Sequence, residues 1–210
     1  MPPRLTLQVA SPYRASMHKP IRNSLTHPLL IASLPAADQP GVLGLTFCPG
    51  KKQTDAITGP WDRDLTIDLA ALKAWGASGV ITLVTDDELR ELHVPELGKA
   101  VRALGLTWWH LPIADRGAPD RSFVRHWRDG VGSDIRARLC RGERLLIHCK
   151  GGMGRTGLLA AQILVEFGVP PRDAIASARR ARTGAIENEL QAQHVFSVAV
   201  APPTQVRSSP

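Results

Sequence analysis

The chain has 210 residues, 43% of them hydrophobic, with 26 Lys and Arg against 19 Asp and Glu and a formal charge of +7. That length makes one ordinary domain whose core needs no metal or disulfide, and the charge suits an acidic ligand without naming one, since the basic residues are spread along the whole sequence. Three cysteines (Cys48, Cys140, Cys149) with no C-x-x-C pair argue against a disulfide scaffold or a zinc site, and a lone tyrosine with no basic-aromatic clusters argues against nucleic acid.

No apolar run approaches a membrane span and the first residues lack the apolar core of a signal peptide, so a cytoplasmic monomer is expected. Residues 1–27 carry Arg4, Arg14, Lys19 and Arg22 with no acid before Asp38, the composition of a flexible basic tail, with Met17 an alternative first residue. One domain is expected over residues 28–200 and a disordered end over 201–210. Leu29–Ala32 and Val42–Phe47 read as edge strands interrupted by Pro35 and Pro40-Gly41. Cys48-Pro49-Gly50-Lys51-Lys52 reads as a solvated turn, with a phosphate-steering rim as the alternative.

Leu65, Leu69, Leu72 and Trp75 recur at helical spacing up to Gly76, and Gly79–Val84 follows as a buried strand. Thr85 and Glu88 form a capping-box pattern for a short helix through Leu92, and Pro95-Glu96 opens another through Ala103. Leu106–His110 is a strand. It feeds a loop over residues 111–120 bracketed by Pro112, Gly117 and Pro119, whose composition allows movement as a lid. Asp120 reads as the N-cap of one helix from about Arg121 to Leu139. Beyond the central motif, Pro171 to Arg182 and Ile186 to about Val198 are the last helices, and Arg179, Arg180 and Arg182 read as a face in water.

The central motif is Leu145-Leu146-Ile147-His148-Cys149-Lys150-Gly151-Gly152-Met153-Gly154-Arg155-Thr156-Gly157, running into an apolar helix through Phe167. This is strand, tight loop and helix. Glycines 151, 152 and 154 let consecutive amides turn inward, and the helix N-terminus adds free donors, so the loop wants an oxyanion. Arg155 adds a planar fork that grips two oxygens of a phosphate-like group. Cys149 stands at the base of this positive cradle, which favours its thiolate, so that nucleophile and phosphate site coincide as covalent phosphoryl transfer requires. His148 precedes Cys149 on a strand and points to the opposite face; it reads as a buried group that holds the loop's shape. The same glycines spell G-x-G-x-x-G, but no second strand ending in an acid follows, and Leu158 stands where a nucleotide P-loop carries lysine.

His148-Cys149, five residues and Arg155 resemble the signature loop of the cysteine-dependent protein tyrosine and dual-specificity phosphatases. The likeness runs from about Pro28 to about Val198 and points to the branch around the kinase-associated phosphatase, whose segments Leu111-Pro112-Ile113-Ala114-Asp115 and Gly184-Ala185-Ile186 resemble. The resemblance implies a single α/β domain with a central, mostly parallel sheet of about five strands and helices on both faces, and phosphomonoester hydrolysis without metal or cofactor. It implies that Cys149 is the nucleophile, that Lys150, Gly151, Gly152, Met153, Gly154 and Arg155 hold the phosphate, and that Thr156 helps the thiolate leave. It makes Asp115 the general acid and gives Gln191 the attacking water, while Asn188 stands where the family often has threonine. Lys150 resembles the loop of inositol-lipid phosphatases, but Met153 offers no second cation, which favours a singly phosphorylated protein or peptide. A rhodanese-like sulfur transferase and a weakly active phosphoprotein-binding module remain the alternatives.

Overall fold

The computed structural model describes residues 20–56 and 59–201, so most of the expected basic tail, the alternative start at Met17 and the end beyond residue 201 lie outside the described residues. A five-stranded sheet runs in the order β1-β2-β7-β5-β6. Its strands are β1 (Ala32–Pro35), β2 (Val42–Phe47), β5 (Ala77–Thr82), β6 (Thr107–His110) and β7 (Arg144–Cys149), and all pairs are parallel except β1 with β2. A small antiparallel hairpin, β3 (Lys52–Gln53) with β4 (Trp61–Asp62), stands apart.

β7 is central because its sequence is apolar on both faces, as a parallel strand covered on both sides must be. Leu145, Leu146 and Ile147 are fully buried, each contributing about 1.5–3 kcal/mol relative to exposure. Helix α6 (Gly154–Glu166) packs on β7 and β2, and α7 (Pro171–Ala181) on α6 and β1. α1 (Leu65–Trp75) starts where the Asp64 side chain accepts from Ile67 N at 2.9 Å and stops at Gly76, whose φ of 88° only glycine adopts cheaply.

Three expectations shift. The helix expected from 121 to 139 is interrupted: α4 (Arg121–His126) and α5 (Gly132–Cys140) flank a π turn at Trp127–Val131, where Gly130 has φ 132°. There the Trp127 indole lies against Gly132 and donates to Glu166 Oε1 at 2.7 Å, buried contacts that helical periodicity does not encode. The first strand begins at Ala32 rather than Leu29. Residues 20–27, assigned by composition to the tail, pack on the body: Arg22 bridges to Trp61, and Ser24 Oγ donates to Asp68 Oδ1 at 2.8 Å. Among the described residues no helix is long and apolar enough to cross a membrane.

Candidate active site

β7 delivers Cys149, 3% exposed, between Phe47 of β2 and the end of β5, and α6 begins at Gly154. Between them the loop's carbonyls are taken up in succession by donors around it. Lys150 O accepts from Cys48 N at 3.5 Å and Lys51 Nζ at 3.3 Å; Gly151 O accepts from Arg182 Nη2 at 3.3 Å; Gly152 O accepts from Arg182 Nε. In a planar trans peptide the next N–H points opposite to the carbonyl, so anchoring three carbonyls away from the cradle turns the amides of residues 151 to 153 toward it. The Gly152 amide meets Cys149 Sγ at 3.2 Å. Only glycine serves at 152: its φ is 68° and a Cβ there would strike the Thr46 backbone.

Arg155 is 2% exposed and its guanidinium is fully engaged on one edge. Nη1 donates to Glu88 Oε2 at 2.6 Å and Ile113 O at 2.9 Å; Nη2 donates to Glu88 Oε1 at 2.8 Å and Asp115 Oδ1 at 2.8 Å. Glu88 belongs to α2 (Asp86–Glu91) and also accepts from Thr85 N at 3.0 Å. Burial would push Glu88 up, but the bonds from Arg155 and the Thr85 amide hold its carboxyl below the usual range.

The lid starts where Leu111 N and Ile113 N bond Thr82 O and Leu83 O at 2.9 and 3.0 Å, and it brings Asp115 to Arg155 while leaving its side chain 59% exposed. Asp120 instead accepts from Phe123 N at 2.8 Å as the N-cap of α4. Gln191, on α8 (Glu189–Ser197), is fully buried: Oε1 accepts from Glu187 N at 3.0 Å and Nε2 donates to Gly117 O at 3.3 Å. Thr156 Oγ1 is buried without a hydrogen-bond partner among the described residues. His148 Nε2 bonds Thr82 Oγ1 at 2.8 Å, on the face away from Sγ, and burial pushes it down to about 3. Among the described residues no group of His, Cys, Asp and Glu could hold a metal ion. Met153 is 38% exposed at the loop's rim.

Two readings of the sequence need correction. The Cys48–Lys52 turn is not solvated up to Lys51: Cys48 is fully buried and Lys51 is 5% exposed, because Asp68, buried against Arg63, binds Gly50 N at 2.8 Å and draws the turn inward. Nor do the three arginines act alike as a face in water. Arg179 and Arg180 are exposed, but Arg179 bonds Ala185 O and Ile186 O at 3.2 and 3.0 Å, and the half-buried Arg182 grips the loop. Glu88 reads in the sequence as a helix cap alone, because Arg155, the partner it grips, stands 67 residues away.

The family model for cyclin-dependent kinase inhibitor 3 matches residues 1–175. The chain belongs to the cyclin-dependent kinase inhibitor 3 family. Cyclin-dependent kinase inhibitor 3 of Sus scrofa is 33% identical over 196 residues, covering 91% of this chain and 87% of that protein. The same-named protein of Homo sapiens is 32% identical over 196 residues with the same coverage. A crystal structure of kinase associated phosphatase, its catalytic-site cysteine substituted by serine, aligns at TM-score 0.70 and 30% identity over 80% of this chain and 92% of that one. This member of the cyclin-dependent kinase inhibitor 3 family has the α/β fold of the cysteine phosphatases and is a protein tyrosine/dual-specificity phosphatase, a hydrolase.

Proposed function

We propose that the chain hydrolyses a singly phosphorylated group on a protein through a cysteinyl-phosphate. The observation that carries this reading is that Asp115, 40 residues earlier in the chain, meets the phosphate loop: its Oδ1 lies 2.8 Å from Arg155 Nη2, beside the loop in which Gly152 N reaches Cys149 Sγ at 3.2 Å. The Cys149 thiolate attacks phosphorus, forming the S–P bond as the P–O ester bond breaks. Arg155 and the inward amides hold the three non-bridging oxygens, and Asp115 gives its proton to the departing oxygen. An arriving phosphate takes over Nη2 from Asp115, while Glu88 keeps the guanidinium aimed.

Water then attacks the cysteinyl-phosphate, losing a proton to Asp115 as the S–P bond breaks. The second amide proton of Gln191 Nε2 orients that water, and the buried Thr156 hydroxyl donates to the leaving thiolate. Phosphorylated kinases are the substrate class suggested by the names of relatives, cyclin-dependent kinase inhibitor 3 and kinase associated phosphatase. The single lysine at 150 and the apolar Met153 favour phosphopeptides over polyphosphorylated inositides; a higher kcat/KM on the inositides would contradict this.

The test of the mechanism is kcat/KM, which reports formation of the cysteinyl-phosphate, across aryl phosphates of graded leaving-group acidity. Asp115→Asn should lose about 10²–10⁴-fold on the poorest leaving groups and little on the best. Asp120→Asn should leave that slope unchanged, and the reverse pattern would move the acid to Asp120.

A further inference from the structure

The acid's position depends on what fixes the lid, because Asp115 itself is 59% exposed and its carboxylate can leave Arg155. The next residue, Arg116, has φ 56°, a left-handed conformation that is costly for a side chain of its kind and persists only where neighbours enforce it. Its carbonyl accepts from Asn188 Nδ2 at 2.8 Å, across 72 residues of chain. The adjoining carbonyl of Gly117 accepts from Gln191 Nε2 at 3.3 Å, and the Gly117 amide closes the turn onto Ala114 O at 2.8 Å.

Asn188 is also the N-cap of α8: with φ −149° and ψ 168° it stands outside the helix, and its Oδ1 accepts from Gln191 N at 3.0 Å. One carboxamide thus faces two ways, its oxygen toward the helix and its nitrogen toward the lid. Aspartate could supply only the acceptor, and a threonine hydroxyl would have to reach both partners from a single atom. The helix that carries Gln191 therefore carries the lid as well.

We propose that Asn188 is a positioning residue for the general acid, fastening the Arg116 peptide to the start of α8 so that the preceding Asp115 carboxyl stays over the phosphate loop. This rests on Asp115 being the acid. Asn188 acts wherever Asp115 does, and in formation of the cysteinyl-phosphate, the step that kcat/KM reports, its loss should show with poor leaving groups and not with activated ones.

Asn188→Asp isolates the lid contact, because aspartate is as good an N-cap as asparagine but cannot donate to the Arg116 carbonyl. The experiment compares wild type, Asn188→Asp, Asp115→Asn and the double variant on a phosphotyrosine peptide and on a strongly activated aryl phosphate, with thermal midpoints in parallel. Asn188→Asp should lower kcat/KM on the peptide roughly tenfold, part of the range a positioned acid supplies. It should stay within about twofold on the activated ester with an unchanged midpoint, and add no further loss to Asp115→Asn. Equal losses on both substrates, or a full additional loss in the Asp115→Asn background, would overturn the proposal. If Asp115→Asn were itself silent on the peptide, the acid assignment would fail and Asn188's role with it. Asn188→Ala, which loses the cap as well, should show the same substrate pattern together with a lower midpoint.

Discussion

Glu88 grips Arg155 with both carboxylate oxygens, at 2.6 and 2.8 Å, from 67 residues away in the chain. The same carboxylate closes the capping box of α2 on Thr85, so a helix start and the aim of the phosphate-loop arginine are one structural fact. Without Glu88 the buried Arg155 would keep only the exposed Asp115 carboxylate and the Ile113 carbonyl, and breaking a buried ion pair costs about 3–5 kcal/mol. Glu88→Ala should therefore lower stability by that order in denaturant unfolding. Glu88→Gln, which still reaches the Thr85 amide, should retain more stability yet raise KM for an aryl phosphate; an unchanged KM would show that Arg155 aims itself.

Lys51 offers a pH signature. Burial pushes it down to about 8, with Cys48 and Cys149 pulling partly back and Arg63 and Lys150 adding to the fall. Above that pH it loses its charge beside the nucleophile and its strongest hold on Lys150 O. With an activated aryl phosphate, wild-type activity should fall as pH rises through about 8, and Lys51→Met should be low and flat across the same range. Stability should move oppositely: the unfolded lysine keeps its proton up to 10.5, so between about 8 and 10.5 the folded state binds fewer protons and gains stability. Equal pH profiles for wild type and Lys51→Met would exclude Lys51 from the alkaline limb.

His148 sets an acid limit on the fold. Thr82 Oγ1 accepts from Trp108 Nε1 and meets His148 Nε2, both at 2.8 Å, and burial keeps the ring neutral. An unfolded histidine protonates near 6.5 while this one resists to about 3, so its contribution is complete above 6.5 and is lost as pH falls from 6.5 toward 3. Glu88, held low by Arg155, adds a loss of the same sign in acid. The thermal midpoint should drop across that window. His148→Asn should start lower and show a shallower drop; an equally steep one would place the acid sensitivity elsewhere.

Arg182 holds two carbonyls of the phosphate loop, those of Gly151 and Gly152. Arg182→Met should relax the inward turn of the amides and weaken inhibition by inorganic phosphate about tenfold, in line with the loss of a charge-assisted hydrogen bond. Arg180→Met on the exposed face is the control, expected to be neutral. Unaltered phosphate inhibition in Arg182→Met would mean that the loop holds its shape unaided.

What the sequence made legible was local. The apolar run into Cys149, the glycines and Arg155 announce strand, loop and helix because each is fixed by its immediate neighbours, and Gly76, Thr85 and Asp120 mark helix ends for the same reason. Glu88, Lys51 and Arg182 each have an adequate local explanation, as a cap, a solvated turn and a polar helix face, and the sequence around Asn188 shows nothing of the lid it holds. Their partners stand far along the chain, where periodicity carries no information. The π turn at Trp127–Val131 is a similar case, set by Gly130 and by a tryptophan seeking Glu166.

The central claim is that phosphate passes through Cys149. The direct measurement is rapid acid quench of wild-type protein during turnover of an aryl phosphate, followed by mass analysis of its peptides. The account predicts one phosphoryl group on the peptide bearing Cys149, absent in Cys149→Ser, which should also be inactive, while Cys48→Ser and Cys140→Ser keep most activity. Phosphoryl found on another residue, or Cys149→Ser turning over near the wild-type rate, would contradict it.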